Sequence, residues 1–309
     1  MRRLRALVVG VACLVACAPF AGATAAPATV DACATRPDVL GLSRVVEVDT
    51  TDGPLFGTTP RGEFEFLKPG EVILTFDDGP LRRHTRAVLA ALKAHCTKAT
   101  FFMVGRMAVS DPAMVREVAS HGHTVAAHTW SHAKLQNISA EKAKDEIELG
   151  FSAVARAMQG PIAPFFRFPY LRTSTEAKRH LKSRSVASFG IDVDSRDFET
   201  RSGAKVKANI LSQLSRRGKG ILLFHDIQPS TANALKDILD SLKARGFKVV
   251  HMVPKDSVTT LADYDTLADR ELARRKAAKS KQPLASRSVV WQQSGNDSPK
   301  NGEVLPWQQ

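Results

Sequence analysis

Val72-Ile73-Leu74-Thr75-Phe76, closed by Asp77-Asp78-Gly79-Pro80, decides how the chain is read. An unbroken apolar or β-branched run, cut off by turn formers, is the pattern of a strand buried on both faces. Such a strand belongs to a parallel sheet covered by helices. The chain on its C-terminal side repeats the unit. Arg83 to His95 carries Ala and Leu at helical spacing, Thr100 to Val104 reads as the next strand, and Asp111-Pro112 starts a helix that stops at Gly122. Thr124 to Ala127 is a further strand, and Ser139 opens a long amphipathic helix that ends near Met158. Strand-like pieces end at Arg167 and span Val186 to Ile191, Ile221 to Phe224 and Phe247 to Met252, with helices over Val206 to Arg216 and Ala232 to Arg245. This alternation predicts an α/β fold with a parallel sheet. About seven strands in roughly 185 residues fit a distorted (β/α) barrel better than two doubly wound halves.

Residues 71–255 are therefore expected to form the main domain. Residues 26–70, rich in Thr, Gly, Pro and Asp with short pieces such as Val45-Val46-Glu47-Val48, read as an irregular extension packed on it. Residues 1–25 read as a signal peptide. Met1 to Arg5 is a basic start, Ala6 to Phe20 is an apolar run too short for a comfortable membrane span, and Ala23-Thr24-Ala25 offers a small-residue cleavage site. Leu14-Val15-Ala16-Cys17 has the look of a lipobox, so anchoring through Cys17 is the alternative to cleavage. An uncleaved N-terminal anchor is the third reading, and all three predict export, to the periplasm or the cell surface. Cys33 and Cys96 remain outside the segment, and in an oxidising compartment they suggest one disulfide. Residues 256–309 read as a basic, largely disordered tail. Leu261 to Lys279 can form one amphipathic helix, and the rest is polar with isolated Trp291 and Trp307. The formal charge of +13 favours acidic partners. No nucleic-acid recognition motif accompanies it and export argues against that partner, so the tail's charge points to an envelope or membrane surface.

Polar residues fall just past the strand ends: Asp77 and Asp78, His128 and His132, Arg167, Asp194, His225. In parallel α/β folds that face carries the active site. His128-Thr129-Trp130-Ser131-His132 spaces two imidazoles to meet on one side of a helical turn, and imidazole is the commonest metal ligand. Alone, such a pair also describes solvent-exposed or core histidines. Adjacent aspartates at a strand end point different ways, one toward a metal and one toward a substrate. Asp78, His128 and His132 would then leave coordination positions open, as catalytic rather than structural zinc sites do. His225 is either a buried structural residue or a general acid whose tautomer is held by a carboxylate such as Asp194. Arg167 is either a surface charge or the partner that fixes the ionisation of Asp77.

Taken in order, Thr75-Phe76-Asp77-Asp78-Gly79-Pro80, His128-Thr129-Trp130-Ser131-His132, Arg167-Phe168-Pro169-Tyr170, Asp194-Ser195-Arg196-Asp197-Phe198 and Leu223-Phe224-His225 resemble the motifs of the polysaccharide deacetylase family, the NodB homology domain of carbohydrate esterase family 4. The resemblance implies a distorted barrel that removes N-acetyl, less often O-acetyl, groups from sugars. It makes Asp78, His128 and His132 ligands of a divalent metal, usually zinc, and Asp77 the general base. Arg167 would pair with Asp77, the Tyr170 backbone N–H would help hold an oxyanion, and Asp194 would tune His225, the general acid. Phe198, where the family typically has Trp, and Leu223 would touch the substrate. The glycan implied is N-acetylated, of chitin-like or peptidoglycan type. An O-acetyl esterase using the same site and a non-catalytic glycan-binding envelope protein are the rival readings. The second conflicts with a chain in which every position given a chemical role is filled.

Overall fold

The computed structural model describes Cys33, residues 36–59 and residues 65–281. The signal segment, with Cys17, and the tail tryptophans lie outside the described residues. The described residues from Pro37 onward form one compact unit. Cys33 and Cys96 are both disulfide-bonded.

All seven residues of the deciding strand, Glu71–Asp77, are buried. It is β3, preceded by β1 (Arg44–Val48) and β2 (Leu55–Phe56). There follow α1 (Arg82–Ala94), β4 (Thr100–Met103), α2 (Gly105–Ser110), α3 (Pro112–Ser120), β5 (Thr124–Ala127), α4 (Ala140–Met158), β6 (Phe165–Phe166) and α5 (Thr175–Ser183). The chain ends with β7 (Ala187–Phe189), β8 (Val193–Asp194), α6 (Gly203–Arg217), β9 (Gly220–His225), α7 (Pro229–Ala244), β10 (Lys248–Pro254) and α8 (Ala262–Lys281). The caps are those the sequence suggests. Asp111 accepts from the Met114 N–H with Pro112 behind it, and Ser139 accepts from the Lys142 N–H, each cap contributing about 1 kcal/mol.

Around β3 the sheet branches. Val72 to Asp77 pair with Gly220 to His225 of β9, Thr75 to Asp77 with Thr100 to Phe102 of β4, and Glu71 and Val72 with Lys248 and Val249 of β10. From β4 the ladder continues through β5 and β6 to β7, while β8 pairs with β9. Every ladder is parallel, and β7 runs into β8 through Gly190, Ile191 and Asp192. The curve is thus closed by chain rather than by hydrogen bonds, which is the distortion of the barrel.

The pleat divides the core in two. Val72, Leu74 and Phe76, with Phe101, Val125, Phe166, Leu222 and Phe224, pack against helix residues such as Val88, Leu92, Ile147 and Leu235. Ile73, Phe102, Ala126, Phe165, Phe189, Ile221 and Val250 form a second cluster, without helix residues, inside the curve. Each buried aromatic or aliphatic side chain contributes about 1.5–3 kcal/mol.

At both ends the packed unit exceeds residues 71–255. The stretch read as irregular supplies β1, which pairs residue for residue with β10, and β2, which pairs with β7. Its β-branched residues cover sheet edges that would otherwise leave backbone groups unpaired. Arg44 fixes the junction by forking onto Glu71 at 2.8 and 2.7 Å. At the other end, the tail is helical to Lys281. Ala268 is buried against Val109 and Ala153, Tyr264 Oη donates to Asp145 at 2.6 Å, and Arg156 Nε donates to Asp269 at 2.8 Å. Among the described residues no helix is long and apolar enough to cross a membrane.

Candidate metal and catalytic site

The inward-facing series of several strands passes from apolar to polar at the C-terminal end. On β3 it reads Ile73, Thr75, Asp77; on β9, Ile221, Leu223, His225; beyond β6, Phe165 is followed by Arg167, and beyond β5, Ala126 by His128. Alternation would aim Asp78 away from that axis. A left-handed backbone at φ 75° turns it back. Thr129, His132 and Tyr170 also have positive φ, at 65°, 63° and 58°, an arrangement costing about 1 kcal/mol or more at each. The expected helical turn at 128–132 is therefore a loop. The Thr129 hydroxyl accepts from the His132 N–H at 2.9 Å, and the Trp130 N–H donates to the Glu146 carbonyl at 2.8 Å.

That loop brings the three candidate ligands together. Asp78 Oδ1 lies 3.3 Å from His132 Nε2 and 3.5 Å from His128 Nε2. One ligand atom of each residue falls within 4.8 Å of the others, and all three residues are buried. His128 Nδ1–H donates to the Arg167 carbonyl at 2.7 Å, which leaves the Nε2 lone pair facing Asp78. Burial, then the neighbouring His132, hold His128 well below its ordinary pKa, so it is neutral and able to ligate. Asp78 Oδ1 is buried without a hydrogen-bond partner. An ionised carboxylate in that state is costly unless a cation meets it. Two imidazoles and a carboxylate suit a divalent ion of zinc type, and this is the one such cluster among the described residues.

Asp77 is held apart from that set. Arg167 is wholly buried and donates from Nη1 to Asp77 Oδ1 at 2.7 Å and to Thr75 Oγ1 at 2.7 Å, and from Nε and Nη2 to the Phe189 and Gly190 carbonyls at 3.1 Å. It is no surface charge. Burial pushes the Asp77 carboxyl up to about 6, against the pull of Arg167 and His225. Its other oxygen lies 3.9 Å from His128 Nε2.

His225 is oriented by Asp197, not Asp194. Its Nδ1–H meets Asp197 Oδ1 at 2.6 Å and its backbone N–H donates to Asp197 Oδ2 at 2.7 Å, while the Thr231 hydroxyl donates to the same carboxylate. Asp194 is spent on a turn, accepting from the Arg196 N–H at 2.8 Å. The left-handed Arg196, φ 52°, reverses the chain and carries the second aspartate inward to full burial. From sequence the two were equivalent carboxylates three apart. The only hint was that Asp197 directly precedes the aromatic Phe198. Burial opposes charge on His225, but Asp197, then Asp78 and Asp77, outweigh it and push its pKa up to about 10.

His225 Nε2 stands 3.9 Å from Asp78 Oδ2, and His225 is the register partner of Asp77 on the neighbouring strand. Phe198, 48% exposed, sets its ring edge-on to His225 with centroids 5.7 Å apart. Leu223 is buried on the face of β9 that carries His225. The Tyr170 ring lies 4.6 Å from that of His132.

Known proteins share this constellation's framework. The polysaccharide deacetylase profile matches residues 67–187. The chitooligosaccharide deacetylase of Azorhizobium caulinodans is 30% identical over 190 residues, 57% of this chain and 90% of its own length. A peptidoglycan-N-acetylglucosamine deacetylase of Listeria monocytogenes is 31% identical over 179 residues, covering 58% of this chain and 37% of that protein. Of solved structures, the Bdellovibrio bacteriovorus peptidoglycan deacetylase matches with a TM-score of 0.64 and 32% identity, over 72% of this chain and 61% of that one. The chain thus spans well under half of the Listeria relative, yet nearly all of the Azorhizobium one. On the barrel, the order of the site residues and these matches, the chain belongs to the polysaccharide deacetylase family of NodB homology domains.

Proposed function

We propose that the protein hydrolyses N-acetyl groups on the amino sugars of a glycan, releasing acetate, with a zinc-type dication held by Asp78, His128 and His132. The observation that carries this reading is the division between adjacent aspartates. One offers an unpartnered oxygen to two imidazoles, and the other is clamped by Arg167. The relatives' names, chitooligosaccharide and peptidoglycan-N-acetylglucosamine deacetylase, support the substrate class.

A dication bound there would polarise the acetyl carbonyl and make a water molecule more acidic. Asp77 accepts the proton of that water as it attacks. A pKa near 6 leaves the carboxylate ionised at neutral pH yet still basic. Arg167 fixes its orientation before and after the proton arrives. The Tyr170 N–H is assigned to the developing oxyanion. His225, with Nδ1–H on Asp197, offers its Nε2 proton to the departing amine, without which the amide would re-form. Phe198 supplies an aromatic wall and Leu223 an apolar surface for the substrate. The same proposal places the protein outside the cytoplasm. Its basic-then-apolar start supports this, as do the disulfides at Cys33 and Cys96.

Acetate release from tetra-N-acetylchitotetraose, peptidoglycan and an O-acetylated xylan, with and without chelator, tests the reading. The expected result is release from the N-acetylated substrates, lost with chelator and restored by zinc. Release from the O-acetyl ester alone would make the protein an esterase. No release from any substrate would leave it a glycan-binding relative.

A further inference from the structure

On the deacetylase reading, we infer that Lys134, assisted by Arg172, recognises a carboxylate on the glycan, so that the preferred substrate is an anionic chain rather than a neutral chitin-type one. Lys134 is exposed and lies two residues past His132 on the same loop. Its ammonium sits 5.1 Å from the centre of the Tyr170 ring, and that ring is the one 4.6 Å from His132. The charge is thus parked at the mouth, one aromatic ring away from the proposed ligands. Resting on a ring face restrains a long side chain that would otherwise wander in solvent. Arg172, also exposed, closes the short helical turn Pro169–Leu171 that carries Tyr170.

Two other cations at this end of the barrel are already matched. Arg82 is paired with Asp111, and Arg196 with Glu199 at 3.1 Å. Two acids of α4 near the 128–132 loop are likewise engaged: Glu146 accepts from the Ser131 backbone and hydroxyl, and Asp145 from Tyr264. Lys134 and Arg172 have no carboxylate partner among the described residues. A neutral N-acetylglucosamine chain offers them nothing beyond hydroxyls. A chain with a lactyl ether, a uronic acid or a peptide carboxylate offers each a counter-ion beside the reacting sugar, and steers encounter as well.

The test uses the zinc-loaded full chain with four substrates: neutral tetra-N-acetylchitotetraose, peptide-free strands of alternating N-acetylglucosamine and N-acetylmuramic acid, the same strands with their lactyl carboxylates amidated, and strands with peptides intact. Lys134→Ala is expected to lower kcat/KM on carboxylate-bearing strands by about fivefold, through KM, the size of an exposed ion pair. Lys134→Arg should recover most of it, and added salt should shrink the difference. The amidated strands and the neutral oligomer should shift by less than about twofold, as expected where no ion pair forms. An effect on intact strands alone would assign the recognised carboxylate to the peptide. Equal losses on neutral and anionic substrates, or no wild-type preference for the carboxylate, would overturn the inference. A wild-type protein that releases no acetate from any of them would instead defeat the deacetylase reading on which it rests.

Discussion

Histidines stand at both ends of the barrel, and their surroundings separate chemistry from architecture. At the C-terminal mouth His128 and His132 face Asp78, and His225 is held by Asp197. At the other end His123, just before β5, and His251 of β10 are 7% and 6% exposed, yet no carboxylate pairs with either among the described residues. His123 Nδ1 accepts the Ala99 N–H at 3.2 Å, and His251 Nε2 meets the Thr124 hydroxyl at 2.9 Å. Burial, with Lys98 adding to it, lowers their pKa values to about 3 and about 4. His225, its side chain 13% exposed, is pushed the opposite way, to about 10. Burial by itself keeps an imidazole neutral and structural. A carboxylate at Nδ1 is what makes it an acid.

The contrast breaks most sharply if Asp197 is neutralised. Asp197→Asn removes the largest of the charges that offset burial at His225 and leaves only Asp78 and Asp77 to oppose it, and kcat should fall by about 10² to 10⁴, the usual weight of general acid–base catalysis. Asp194→Asn, which touches only the turn at Arg196, should stay within about tenfold, well short of that loss. Among the neighbouring carboxylates, Asp78→Asn should lose zinc, since an amide oxygen is a poor ligand and two imidazoles remain. Asp77→Asn should keep zinc and lose turnover by a similar factor. Elemental analysis beside acetate release reads all four. Equal zinc loss in both adjacent variants, or a larger loss at Asp194 than at Asp197, would reverse the assignments.

A second, smaller effect sharpens the same contrast through pH. Asp77 must be ionised to accept a proton, so rate falls as pH drops through its pKa, about 6 without a metal. His225 must be protonated to donate, so rate falls as pH rises through its own, about 10. A bound dication repels protons from both groups, which places the two limbs of the bell at or below these values. In Asp197→Asn the alkaline limb should move further down. An unmoved alkaline limb, or full activity at pH 4, would show that other groups carry the protons.

What the sequence made legible follows from how local each signal is. The strands of the barrel read directly, because Val72 to Phe76 and its repeats are apolar runs ended by turn formers. The grouping of Asp78, His128 and His132 was legible too, from residue type and from their places past strand ends, and the structure brings the three together, through a loop and not the helical turn their spacing suggested. Asp197 did not. Its selection over Asp194 depends on one left-handed residue, Arg196, and on a hydroxyl from α7, Thr231, that lies 34 positions away in the chain. Nor did the domain's edges. β1 is a strand because β10 offers it an edge, and α8 packs through a single wholly buried Ala268 together with scattered ion pairs. Neither partner is visible from the segment alone.

The smallest effect concerns the far end, where the histidines should matter to stability and not to turnover. Their folded pKa values lie below the unfolded value of about 6.5. Above that pH neither state holds the proton and their contribution is complete. As pH falls below it, the unfolded chain takes up protons first, and stability is lost toward the folded values of about 3 and about 4, at up to about 1.4 kcal/mol per pH unit for each group. His225 has the reverse sign: its contribution is complete below about 6.5 and is lost as pH rises through about 10. Buried carboxylates such as Asp77 and Asp226 also titrate in the acid range, so the useful quantity is the gap between wild type and a single variant, in which they cancel. His251→Gln should lower the unfolding free energy at pH 8 by about 1 kcal/mol, the value of one hydrogen bond, and leave acetate release unchanged. As pH is lowered that gap should close and then invert below about pH 5.9, because only the wild type still carries the proton-linked penalty. Urea unfolding followed across pH 8 to 5 decides it. A gap that stays constant would mean that His251 titrates normally in the folded protein, and the two ends of the barrel would not differ as described.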